Sequence, residues 1–225
     1  MTTQDATATQ AVTVWDLPTR LFHWSLVALI GFQWLSAEMA WMQWHVWAGY
    51  AVLTLVLFRL LWGFIGSRTA LFADFVRGPA AAIAYLKAAR AGTPQHYVGH
   101  NPAGGLMVLA LLAFVTFQGI TGLFSTDDIF TEGPLYSLVS ADTGSLLTTV
   151  HKLAFNLLLA LIALHIAAAL FYLLIKKENL IRPMVLGKKA LPAEQVPAAR
   201  PLAPLWRAAV AFAVAAGVVA FVVNR

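Results

Sequence analysis

The chain has 225 residues, 60% of them hydrophobic and 11% charged, with a formal net charge of +5. A soluble domain carries about 25% charged residues. At less than half that density, and with a mean hydropathy of +0.74, a water-facing surface cannot be covered, which excludes a cytosolic enzyme, a disordered chain and a secreted disulfide scaffold.

In chain order, the first segment is polar and short (Thr2–Gln10) and lacks the basic start of a signal peptide. It reads as a disordered cytoplasmic tail over residues 1–11. Five apolar runs follow, each near the roughly 20 residues a helix needs to cross a bilayer: Leu21–Met42, Trp44–Phe64, Ala103–Phe124, Val150–Ile175 and Leu205–Val223. They are continuously apolar rather than alternating, which favours helices over a barrel. Between the second and third runs, Pro79–Arg90 reads as a short helix on the membrane surface. Pro192, Pro197, Pro201 and Pro204 make residues 188–204 a stiff linker. The fold expected is an all-α membrane protein, with a four-helix transmembrane bundle over residues 12–187 and an extra C-terminal helix over 205–225.

Net positive charge in a soluble protein would suggest nucleic acid. Here the charge lies between the runs and reads as topology, so no nucleic acid is expected. Arg68, Arg77, Lys87 and Arg90 follow the second run, and Lys176, Lys177, Arg182, Lys188, Lys189 and Arg200 follow the fourth. The loop after the third run has no Lys or Arg but carries Asp127, Asp128, Glu132 and Asp142. The positive-inside rule puts the N-terminus and both basic segments in the cytoplasm of a bacterial inner membrane, with the acidic loop outside. Trp15, Trp24, Trp41, Trp44, Trp47, Trp62 and Trp206 read as aromatic belts at the interfaces.

Ionisable groups within spans mark function, and His23, His45, His151 and His165 lie in or at the ends of runs. His151 and His165 are separated by about 21 Å of helical rise and point to nearly the same face. That is what two stacked haems need from one helix, each taking a neutral imidazole as axial ligand. Depth then pairs His23 with His165 on the cytoplasmic side, and His45 with His151 on the outer side. Zinc is disfavoured because the pairs are too far apart in depth and no Cys or carboxylate helps them. The absence of cysteine also excludes disulfides, iron–sulfur clusters, thiolate nucleophiles and thioether-attached haem.

Supporting residues follow from the same geometry. Arg59 shares a face with His45 at the depth of the cytoplasmic haem, where a buried guanidinium needs an anionic partner such as a haem propionate. Arg20, one turn before His23, is placed to serve the same haem, and Lys152 the outer one. Both are equally compatible with interfacial snorkelling. Gly49, one turn after His45, would let a flat macrocycle approach the backbone, or would serve ordinary helix packing. His100 sits where it reaches a quinone carbonyl or a propionate, or is a plain helix-start histidine. His96 falls in the same basic loop.

The stretch Trp15-Asp16-Leu17-Pro18-Thr19-Arg20-Leu21-Phe22-His23-Trp24 resembles the start of the bacterial cytochrome b561 family, which includes the b-type cytochrome subunits of nickel–iron hydrogenases. Phe58–Ser67, Gly99-His100-Asn101-Pro102 and His151-Lys152 with His165 are similar to the same family. The resemblance covers roughly residues 12–187. It implies a four-helix bundle holding two b haems, with His23, His45, His151 and His165 as ligands. It also implies electron transfer between a redox partner protein and the quinone pool, often as the membrane anchor of an enzyme complex such as an oxidoreductase or hydrogenase, while the acidic Ser125–Thr149 loop suits a basic partner such as a c-type cytochrome. Two alternatives stand beside that expectation. Some relatives act alone as superoxide:ubiquinone oxidoreductases, but the acidic outer loop disfavours an anionic substrate. A non-redox membrane protein relaying protons through its histidines would carry no chromophore.

Overall fold

The computed structural model describes residues 9–93, 97–192, 196 and 202–225. Besides two short 3-10 helices (Arg68–Ala70 and Tyr136–Leu138), the strands and α-helices follow in order: strand β1 (Thr9–Thr13), helices α1 (Leu17–Glu38), α2 (Met42–Ile65), α3 (Phe72–Phe75), α4 (Pro79–Arg90), α5 (Pro102–Gly122), α6 (Ala141–Leu174) and α7 (Ile181–Leu186), strand β2 (Lys188–Pro192) and helix α8 (Leu205–Val223). His96, Pro197 and Pro201 lie outside the described residues.

Each long helix starts where the local chemistry directs. Asp16 Oδ1 accepts the Thr19 amide at 2.8 Å ahead of Pro18, and so begins α1. Asn101 Oδ1 accepts the Gly104 amide at 2.8 Å ahead of Pro102 in α5. Ser140 Oγ accepts from the Thr143 amide at 3.3 Å and starts α6. These caps shift the expected limits. α1 begins four residues before the apolar run and ends at Glu38, because the polar Ser36–Glu38 segment leads into a tight turn in which Ala40 has φ 56°. α6 begins nine residues ahead of Val150, since the Ser140 cap lies well before the apolar stretch. α4 occupies the interval expected for it.

The helices pack as two antiparallel hairpins, α1 with α2 and α5 with α6, joined through α2 against α5. α8 lies along α2, where the buried Ala211 and Ala215 meet Phe58 and Trp62. One end of the bundle carries the basic segments. There Trp62, fully buried, donates its indole N–H to Asp16 Oδ2 at 3.0 Å, tying the end of α2 to the start of α1. The hydroxyls of Tyr85 and Tyr172 meet at 2.6 Å, tying α4 to the end of α6. The other end carries the acidic loop, where Thr148 Oγ1 accepts the Thr126 amide at 3.0 Å.

β1 and β2 pair antiparallel, Thr9 opposite Pro192 and Thr13 opposite Lys188. Residues 9–11 of the expected tail and residues 188–192 of the expected linker are therefore strand. The ribbon is continued by the Val14 amide, which donates to the Gly187 carbonyl at 2.8 Å. Gly187 has φ 82°, a conformation that favours glycine. A five-residue polar ribbon has no hydropathy signature, which is why neither strand was expected.

Helices α2, α5, α6 and α8 are long and apolar enough to cross a membrane. α1 is as long but is not among them, because Arg20, His23, Gln33 and Glu38 dilute its hydropathy. Leu153, Leu157, Leu164, Ile166, Leu170 and Phe171 of α6 are all exposed. An apolar surface this continuous belongs against lipid rather than water. The chain is thus a mostly helical, multi-pass membrane protein.

Candidate functional site

The four histidines of the spans come together as two pairs at opposite ends of the bundle. At the basic end the rings of His23 (α1) and His165 (α6) have centroids 6.5 Å apart. At the acidic end the rings of His45 (α2) and His151 (α6) are 6.2 Å apart. An imidazole nitrogen lies about 2 Å from a metal it ligates, with the ring centre about 1 Å beyond. Two rings facing one iron therefore stand roughly 6 Å apart, and both pairs have that spacing. No group of three or more His, Cys, Asp or Glu side chains suited to a metal ion occurs among the described residues. Pairs suit a haem, whose macrocycle supplies the other four donors.

At the acidic end the tautomer is set by backbone. His45 Nδ1 is 3.0 Å from the Gln33 carbonyl and 3.3 Å from Ser36 Oγ. His151 Nδ1 is 3.0 Å from the Gln118 carbonyl and 3.2 Å from Thr121 Oγ1. A carbonyl only accepts, so each Nδ1 carries the proton and each Nε2 presents its lone pair, the form in which imidazole ligates iron. The Gln118 side-chain amide, donating to His151 Nε2 at 3.2 Å, reads the same lone pair. It would have to swing aside for iron. Both anchors have one pattern: Gln33–Ser36 on α1 and Gln118–Thr121 on α5 each place a hydroxyl one turn after the carbonyl. This Gln-x-x-Ser/Thr repeat was the available sequence signal, and sequence reasoning missed it.

The basic end differs. His23 Nδ1 is buried without a hydrogen-bond partner, as are Arg20 Nε, Arg59 Nη1 and His100 Nδ1. Buried polar atoms are seldom left unpaired, and four donor or acceptor atoms at one end call for a polar ligand with several oxygens. Arg59 is 3% exposed. Its guanidinium stacks over Phe72 at 5.0 Å and Phe75 at 5.9 Å; the charge of the buried Asp16 carboxylate acts on it, yet its Nη1 has no hydrogen-bond partner. The two carboxylates of a haem b fit this vacancy of partners. His100 is wedged between Trp15 at 4.6 Å and Phe75 at 4.8 Å. Burial, and then the Arg59 charge, hold it well below the usual histidine range, so it stays neutral.

The remaining expectations divide. Arg20 joins the basic end, but its Nη1 also donates to the Val185 carbonyl at 2.7 Å and so anchors α7. Trp24 does the same through Met184 at 3.1 Å. Gly49 faces Gln33, whose amide nitrogen would lie 3.1 Å from an added Cβ. Gly49 thus makes room for the residue that anchors His45. Gly122, not anticipated, does the same for the His151 ring, 3.1 Å from its Cε1. Lys152 is exposed on α6 beside His151, near enough for its charge to act on that ring, and shares no hydrogen bond with either histidine of the acidic end. The acidic loop is built on Asp127, whose Oδ1 accepts three amides, from Ile129, Phe130 and Thr131 at 2.8–3.0 Å. These bonds push its carboxyl well below the usual carboxylate range, and the turn leaves Phe130 96% exposed.

Among known proteins, a family model described as prokaryotic cytochrome b561 matches residues 14–187. No curated protein and no solved structure matches the chain.

Proposed function

The chain belongs to the prokaryotic cytochrome b561 family, membrane b-type cytochromes of electron transfer, and we propose that it holds two b haems and carries electrons across the bacterial inner membrane between a redox partner and the quinone pool. The observation that supports this most is the pair of facing histidine pairs at opposite ends of the bundle, 6.5 and 6.2 Å between ring centres. In this reading His23 with His165, and His45 with His151, are the axial ligands. When bound, the haems supply one-electron redox chemistry that no side chain provides.

The chain's own residues bind, orient and tune. The Gln33 and Gln118 carbonyls hold the Nδ1 protons, so that His45 and His151 each offer Nε2. Arg59, Arg20 and His100, each with a buried nitrogen that has no partner, would hold the haem carboxylates at the basic end. Phe72 and Phe75 cover the Arg59 guanidinium and exclude water from it. The exposed apolar side chains of α6 meet lipid. α1 crosses the bilayer beside α2, its polar residues being those the sites use. The N-terminus and basic segments face the cytoplasm. A quinone at that end would find His100, Asn101 and Arg20 at hand. A basic redox partner, a c-type cytochrome or an oxidoreductase subunit, suits the acidic outer loop.

The test is a reduced-minus-oxidised spectrum of the purified protein with haem quantified per chain. Two b haems with the bands of six-coordinate bis-histidine iron are expected, and His165→Ala is expected to lose one of them. A colourless protein from haem-replete cells overturns the reading.

A further inference from the structure

Helix α8 leaves an open groove against the end of α2, at the basic end of the bundle. The Ala203 amide donates to Ser67 Oγ at 3.0 Å and fixes the chain that enters α8 to the turn leaving α2. The groove has a volume of about 560 Å³ and is lined by Phe64, Ile65 and Leu71 on one side and by Trp206, Arg207 and Val210 on the other. Phe64, Ile65, Trp206 and Val210 are all exposed. Arg207 is the one charged side chain in this lining. Its guanidinium lies over the Trp206 ring at 5.6 Å, and no ion pair among the described residues supplies it with a carboxylate. Arg68, in the stretch between Ile65 and Leu71, adds a second positive charge, shared with Asp74 at 3.1 Å. The α8 wall lies outside residues 14–187, so the family match does not account for the groove.

Depth selects the occupant. α8 has 19 residues, and at 1.5 Å each it spans about 28 Å, close to the roughly 30 Å of a bilayer core. Trp206 and Arg207, in its first turn, therefore stand at headgroup level, where tryptophan is enriched and a long basic side chain reaches polar partners. Val210 lies one turn further in, toward hydrocarbon. A ligand for this groove needs an anionic group at the Arg207 end and an apolar chain below it. Water-soluble anions lack the second part, and neutral lipids lack the first. We propose that the groove between α2 and α8 binds an anionic phospholipid. Its phosphate meets the Arg207 guanidinium, whose paired N–H donors match phosphate oxygens, and one acyl chain runs along Phe64, Ile65 and Val210. The lipid bridges the two helices where their own contacts leave space. The site is independent of the haem reading, since none of its residues belongs to either histidine pair.

Native mass spectrometry of the full chain, delipidated in mild detergent and titrated with phosphatidylglycerol or phosphatidylcholine, tests this. The wild type is expected to bind its first phosphatidylglycerol roughly fivefold tighter than phosphatidylcholine, the effect of one basic residue on an anionic lipid. Arg207→Gln should remove that preference. Val210→Trp should weaken the first binding of both lipids by filling the groove. Arg225→Gln is the control and should leave the preference unchanged, because Arg225 stacks on Phe221 at 4.3 Å much as Arg207 does on Trp206, but at the other end of α8. Arg207 is exposed, so its variant keeps the packing of α8 and decides the matter if Val210→Trp fails to fold. Equal binding of the two lipids by the wild type, a preference that survives Arg207→Gln, or one lost equally in Arg225→Gln overturns the proposal. A folded Val210→Trp variant that binds as the wild type does overturns it as well. So does a detergent-resistant dimer that Trp206→Ser breaks, which would give the groove to a second copy of the chain.

Discussion

Hydrogen bonding at single residues sets how each end of the bundle behaves. Gln33 and Gln118 hold the Nδ1 protons of the acidic-end histidines through their backbone carbonyls, so substituting either glutamine leaves the tautomer in place, although at Gln118 it also removes the side-chain amide that meets His151 Nε2. Asp127 shows the same economy in the acidic loop, where one carboxylate oxygen satisfies three consecutive amides. Its carboxyl is depressed, so the contribution to loop order is complete above the ordinary carboxylate range. It is lost only as pH falls through the depressed folded value. Asp127→Ala is expected to speed amide exchange at Ile129, Phe130 and Thr131 by at least tenfold at neutral pH, while the wild-type loop keeps its protection down to pH 4. Equal exchange in the two proteins would show that the backbone holds the turn by itself. Asp127 was visible in the sequence only as one of four acidic residues. Its role as the centre of a turn depends on amides that composition does not report.

At the scale of elements, α8 lies beyond the family match and packs on α2 through small residues. Ala211 and Ala215 are buried against a cluster that includes Phe58, Trp62 and Leu112. Enlarging either one forces α8 off its neighbour, and overpacking of this kind costs about 1–3 kcal/mol. Ala215→Leu is expected to lower the detergent melting temperature and to make the 202–204 segment sensitive to protease, with haem content unchanged. Loss of haem on this substitution would mean that α8 supports the site as well as the surface. The apolar runs made all five long helices legible, and the Pro79–Arg90 surface helix with them. Their ends were less legible, because Asp16, Asn101 and Ser140 set them through caps that lie outside the apolar stretches.

For the whole molecule, the basic segments converge at one end and the acidic loop stands at the other. Several tertiary bonds hold that arrangement, among them Trp62 to Asp16, Tyr85 to Tyr172 and the β1–β2 ribbon. The proposed orientation has a clean test because the chain has no cysteine of its own. In intact cells, Phe130→Cys is expected to react with a membrane-impermeant maleimide, and Arg90→Cys only after the cells are opened. The reverse pattern would invert the proposed topology.

Hydropathy and the 1.5 Å rise of a helix are local properties. From them the order of amino acids alone determined which segments are long and apolar, which loops are basic or acidic, and which histidines share a depth. Rotation of each helix about its axis is not local. A helix that is apolar all round leaves it undetermined, and packing against neighbours decides it. That rotation brought Gln33 and Gln118 beside the histidines of the acidic end, buried Arg59 under two phenylalanines and left Lys152 on the surface. The β1–β2 ribbon was likewise a tertiary decision, since its two strands are polar, short and nearly a chain length apart, and only the folded bundle brings them together.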